Sequence, residues 1–125
     1  MQNKRVVVTG LGAVTPIGLN VNEFWDGLIS GKNGVAPITY FDASRFDTKF
    51  AAEVKNFNPD NYFDKKSVKR LDRFSQFAIA SSVQAIEDSN INLDKMDKNR
   101  AGVIYGSGIG GLQTLQNEHW KYFQD

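Results

Sequence analysis

Three consecutive β-branched residues, Val6, Val7 and Val8, open the apolar pattern of the chain. An apolar run without alternation predicts a strand over residues 4–9 that is covered on both faces. Gly10 and Gly12 predict a turn after it, and Pro16 delays the next helix. Val21, Phe24, Trp25, Leu28 and Ile29 then recur at helical spacing. Asn20 is placed to cap that helix with Glu23 as its capping-box partner, and Gly31 to stop it in a left-handed conformation. Across residues 33–63 the period is lost, broken by Pro37, Pro59 and several Asn and Asp. The stretch nevertheless carries Tyr40, Phe41, Phe46, Phe50, Phe57, Tyr62 and Phe63. That aromatic load predicts an ordered excursion packed on a core, with a short strand at 50–55, rather than a disordered linker.

Asp64 reads as the N-cap of a long helix over 64–89, whose apolar side is Val68, Leu71, Ala78, Ala85 and Ile86, helped by Phe74, Phe77 and Ile79. Residues 90–100 form a polar connection with room for one helical turn. Ala101 to Tyr105 predicts a second buried strand, followed by the loop Gly106–Gly111 and a helix carrying Leu112, Leu115 and Trp120. Strand, helix, excursion, helix, strand, helix is an α/β order with a mainly parallel sheet. No repeat, low-complexity tract or linker divides residues 1–125. Two strands needing cover on both faces, plus one weak strand, would leave apolar edges unpaired. The pattern is therefore that of the first part of a larger fold.

Composition narrows the chemistry. The chain has 125 residues and no cysteine, which excludes disulfides, thiolate metal sites and a cysteine nucleophile within them. A net charge of +1 gives no global attraction to nucleic acid or membranes. The leading apolar run is too short for a signal-peptide core or a membrane span, so the expected location is cytoplasmic. His119 is the only histidine and sits beside Trp120 without an acidic or thiol partner, which favours packing over catalysis. Neither Glu118 nor Asp125 suggests a carboxylate pair, and no metal-ligand spacing is present.

Gly106, Gly108 and Gly111 match G-x-G-x-x-G between a predicted strand and helix, the context of a dinucleotide fingerprint. The acidic residue that would confirm it belongs about 20 residues further on, so a dinucleotide-binding fragment stays open, as does a tight turn with no ligand. The loop is not a P-loop, because Leu112 and Gln113 stand where Lys and Ser or Thr are required. The first loop fits no phosphate motif: Thr15 and Val14 occupy positions that need glycine.

Taken together, Val6-Val7-Val8-Thr9-Gly10-Leu11-Gly12-Ala13-Val14-Thr15-Pro16-Ile17-Gly18, the Phe24-Trp25 helix, the Phe41-Asp42 excursion and Gly106-Ser107-Gly108-Ile109-Gly110-Gly111 resemble the opening of the β-ketoacyl-acyl-carrier-protein synthases, specifically the elongating type II enzymes. The resemblance runs in order over essentially the whole chain. It implies a thiolase-like, layered α-β-α-β-α fold of which this is an incomplete first part. It also implies decarboxylative Claisen condensation of an acyl group with malonyl-acyl-carrier protein. The cysteine and two histidines of that reaction lie downstream in the family, so no catalytic residue is assigned here. The family is homodimeric and needs no metal or organic cofactor; acyl groups arrive on the carrier's phosphopantetheine arm. A non-catalytic chain-length partner subunit is the remaining alternative.

Two sites follow from the resemblance. Gly108, Ile109 and Gly110 correspond to an acyl-pocket gate, Ile109 being the side chain that swings aside for longer chains. Lys65, Lys66, Lys69 and Arg70 correspond to the basic patch that docks the acidic carrier protein. Spacing agrees with the second: Lys66, Lys69, Arg70 and Arg73 fall at i, i+3, i+4 and i+7 and would share one face of a continuous helix. Cations in a first helical turn oppose the helix dipole, a tension that points to an anionic partner.

Overall fold

The computed structural model describes residues 4–124; residues 1–3 and Asp125 lie outside them. Among the described residues, four helices and one two-stranded sheet make up the regular structure: α1 (Val21–Ile29), β1 (Ala36–Pro37), β2 (Phe50–Ala51), α2 (Lys65–Arg70), α3 (Arg73–Ser89) and α4 (Leu112–Gln124), with 3-10 turns at Pro59–Asn61 and Lys98–Arg100. The second of these turns is the one expected in the polar connection.

Helix α1 is closed at both ends as its sequence dictates. The Asn20 side chain accepts from the Glu23 N–H at 2.9 Å, and the Glu23 carboxylate takes the Asn20 amide and the Leu19 N–H, each at 2.8 Å. At the far end Gly31 adopts φ +67°, and the Lys32 and Gly31 N–H groups return to Gly27 and Leu28. These two bonds make a Schellman stop. The predicted apolar face is nevertheless open, with Trp25, Leu28 and Ile29 exposed, and Gly27 is the buried position.

The excursion is ordered mainly by polar bonds. β1 and β2 pair antiparallel in the register Ala36–Ala51 and Pro37–Phe50. Glu53 then fastens the start of the loop, accepting from the Thr39 N–H at 2.9 Å and the Thr39 hydroxyl at 2.7 Å. Of the aromatics in this stretch only Phe57 is buried. It stacks on Tyr62 and meets the edge of Phe77, with ring centroids 5.8 and 5.1 Å away.

Three expectations are corrected. Residues 4–9 and 101–105 form no strand: neither is paired in a ladder among the described residues, and Val6, Val8 and Ile104 are exposed. The paired strands of the described residues are antiparallel rather than parallel. The helix expected over 64–89 breaks at Leu71 and Asp72, whose backbones are extended (ψ 127° and 153°). Gln76 seals the break: its amide donates to the Leu71 carbonyl at 2.9 Å and the Val68 carbonyl at 3.2 Å, satisfying acceptors that the end of α2 leaves free. Asp64 caps α2 as expected, accepting from the Lys66 and Ser67 N–H groups at 2.8 and 2.9 Å.

The first glycine loop also works differently from the predicted turn, which falls instead at Thr15–Gly18. The segment before it runs antiparallel to α3. The Leu11 N–H donates to Asp88 at 2.8 Å and the Ala13 N–H to Gln84 at 3.0 Å. Two residues of chain and four of helix cover about 6 Å each, so both bonds form in step. A Cβ on Gly10 would collide with the Ala85 carbonyl, and one on Gly12 with that of Ser81. These glycines are required for close approach to a helix, not for positive φ.

Candidate functional site

The two regions expected to matter meet at the α2–α3 break. Lys65, Lys66, Lys69 and Arg70 are exposed on α2, and among the described residues none forms an ion pair. Lys69 and Arg70 occupy the last helical turn, where the dipole favours cations; only Lys65 and Lys66 stand against it. Asp64 offsets part of that opposition. Hydrogen bonds from the Ser67 N–H, the Ser67 hydroxyl and the Lys66 N–H hold its carboxyl below the usual carboxylate range.

Arg73 does not belong to this face. The break turns it away, and its guanidinium sits 5.1 Å from the ring centroids of both Phe57 and Phe77. It is a cation–π clamp on the aromatic cluster. The shared face that spacing predicts for Lys66, Lys69, Arg70 and Arg73 is therefore not formed, and the exposed cations of α2 are Lys65, Lys66, Lys69 and Arg70.

The Gly106–Gly111 loop begins α4, with Gly111 at φ +69°. No atom approaches the Cβ positions of Gly106 or Gly108, whereas a Cβ on Gly110 would stand 2.8 Å from the Phe74 ring. Ile109 between them is 78% exposed. An apolar groove of about 580 Å³ lies between α3 and residues 103–107, walled by Leu71, Phe74, Ile79, Val103 and Tyr105, with Ser107 at its edge. Ile109 is outside that lining. Three residues that the sequence pattern did not single out as functional bind this loop to the break. Phe74 underlies Gly110, and Thr114, in the first turn of α4, donates its hydroxyl to the Asp72 carboxylate. The available signal was Asp72 itself, a good N-cap residue inside an apparently unbroken helical period.

The dinucleotide reading meets an electrostatic obstacle. A pyrophosphate would sit at the N-terminus of α4. There the Asp72 carboxylate already lies 3.4 Å from the Cβ position of Gly111, and a second anion would be repelled. His119 packs on Phe123 of its own helix with centroids 4.5 Å apart. Among the described residues no group of three or more His, Asp or Glu is placed to hold a metal ion, and no helix is long and apolar enough to cross a membrane.

Ketosynthases are among the solved structures with a similar arrangement. A β-ketoacyl synthase from Burkholderia phymatum is 28% identical and matches with a TM-score of 0.75 over 96% of this chain and 30% of its own. A type II polyketide-synthase acyl-carrier protein in complex with its ketosynthase matches at 27% identity, with a TM-score of 0.73 over 95% of this chain and 32% of that one. Residues 3–123 match the family described as beta-ketoacyl synthase, N-terminal domain, and the chain belongs to that family. Among curated relatives, the 3-oxoacyl-[acyl-carrier-protein] synthase 2 of Synechocystis is 47% identical over 94% of this chain, which spans 28% of that protein. The broad expectations of an α/β fold and a β-ketoacyl synthase N-terminal region therefore hold.

Proposed function

We propose that this chain is the N-terminal part of an elongating β-ketoacyl-acyl-carrier-protein synthase. The reaction joins a cysteine-bound acyl group to malonyl-carrier protein with loss of carbon dioxide. The observation that carries the reading is the 47% identity to a 3-oxoacyl-[acyl-carrier-protein] synthase 2 across nearly the whole chain. The exposed, unpaired cations of α2 support an acidic carrier protein as partner. The loop carrying Ile109 beside an apolar groove supports a gate that reads acyl-chain length. In this reading residues 1–125 supply part of the first half of a thiolase-like layered fold, without an internal boundary. The complete protein is a cytoplasmic homodimer, with its cysteine and histidines contributed from beyond residue 125.

The test is reconstitution. The full-length protein is mixed with malonyl-carrier protein and acyl-carrier protein, and the product is read by mass. A 3-oxoacyl-carrier protein two carbons longer is expected. Carrier binding without any product would instead favour a non-catalytic chain-length subunit, and neither binding nor product would remove the proposal.

A further inference from the structure

The contacts at the α2–α3 break go beyond a gate and a docking patch acting separately. Asp72 follows α2 by two residues and stands at the N-cap position of α3, yet its side chain makes no capping bond there. Its carboxylate takes the Thr114 hydroxyl instead. Two residues on, the Phe74 ring packs beneath Gly110, next to Ile109. The Leu115 N–H donates to the Gly111 carbonyl at 2.9 Å, so the loop is continuous with the first turn of α4. The chain leaving Lys69 and Arg70 is thus fastened to both ends of the segment Gly110–Thr114. Gln76 fixes the other side of the same break by holding the last carbonyls of α2. An N-cap carboxylate that forgoes its own helix for a neighbouring one makes a specific tie between elements 42 residues apart.

We propose that Asp72 and Thr114 are positioning residues that tie the Ile109 loop to the carrier-docking helix. Seating of the acidic carrier on Lys69 and Arg70 thereby sets where Ile109 stands and which acyl lengths are admitted. This rests on the gate and docking readings above. Its distinct consequence is that length selection depends on how the acyl group is delivered.

The experiment compares the full-length synthase with its Thr114→Val, Thr114→Ser and Asp72→Asn variants. kcat/KM is measured for short and long acyl groups, delivered either on the carrier protein or as free pantetheine thioesters. Thr114→Val and Asp72→Asn are expected to change the long-to-short ratio by about fivefold or more for carrier-bound substrates, the lower range of coupling between sites. The same ratio for free thioesters is expected to stay within twofold, and Thr114→Ser to restore it. A Lys69→Glu, Thr114→Val double-mutant cycle in carrier KM is expected to be non-additive. Equal changes for both forms of delivery, or no change, would overturn the tie. Two controls isolate the underlying readings. Loss of the carrier preference must follow Lys69→Glu with Arg70→Glu, and loss of long-chain use must follow Ile109→Phe. If either control is silent, the reading beneath it fails; if both respond while Thr114→Val does not, only the tie fails.

Discussion

At the scale of single residues, the flanking glycines decide what Ile109 can do. Gly108 leaves open space on one side, and Gly110 rests on Phe74 on the other. A branched side chain held between two such positions has room to move without backbone strain. Ile109→Phe fills that room. Overpacking penalties of about 1–3 kcal/mol translate into a loss of roughly 5- to 150-fold for the substrates that need the space. Long acyl primers are expected to lose that factor in kcat/KM while short ones lose little, and equal loss across lengths would show that Ile109 is packing alone. Asp64 gives a pH prediction. Its folded-state pKa is lowered by the Ser67 N–H, the Ser67 hydroxyl and the Lys66 N–H. Its contribution to α2 is therefore complete above the unfolded carboxylate value of about 3.9 and disappears as pH falls through the lower folded-state value. Amide shifts of Lys66 and Ser67 should follow that acid transition, and Asp64→Asn should abolish it.

At the scale of elements, end signals were more legible than interiors. Asn20, Glu23, Gly31 and Asp64 each stand in the predicted cap, because capping is a contest between neighbouring side chains and backbone that the local sequence settles. The α2–α3 break was hidden because Val68, Leu71 and Ala78, helped by Phe74, keep a helical period straight through it. At the break Gln76 takes the carbonyls that the end of α2 leaves free and Thr114 donates to Asp72, and no apolar period records either bond. The basic spacing misled for the same reason, carrying Arg73 onto a face that the break removes. The proposed gate and docking residues rest on family resemblance, with spacing in support of the second alone, and neither signal points to a link between them. Gly12 shows how a motif residue acquires a structural duty. Gly12→Ala drives a Cβ into the Ser81 carbonyl, and backbone cannot yield as a side-chain tip would. A destabilisation of about 1–3 kcal/mol is expected, read as a lowered melting temperature. A melting curve unchanged by Gly12→Ala would show that the segment is not seated on α3. Reversing Lys69 and Arg70 to Glu should weaken carrier binding about tenfold, mainly through slower association and a loss of salt dependence. Binding kinetics measured at two ionic strengths would decide it.

At the scale of the whole molecule, the described residues bury very little: Phe57 and Ala80 are the buried apolar residues among them. Exposed at the same time are Val6 at 89%, Val8 at 79% and Ile104 at 100%, all within segments whose sequence calls for strands covered on both faces. Strand formers without neighbours are templates for pairing, and apolar ones doubly so, since association satisfies backbone groups and removes hydrophobic surface together. The 125-residue chain prepared on its own should therefore associate. Light scattering should rise with concentration, and a dye specific for exposed apolar surface should brighten on binding. The β-sheet signal of the associated material should exceed what two short strands can supply. Val7→Lys together with Ile104→Lys would place a charge in each unpaired segment and should suppress all three effects, because a buried ladder cannot accept an unpaired ammonium. A dilution-independent monomer that leaves the dye dark would show that these segments find cover within the chain, and that the apolar runs at 6–8 and 103–105 do not need sheet neighbours from elsewhere.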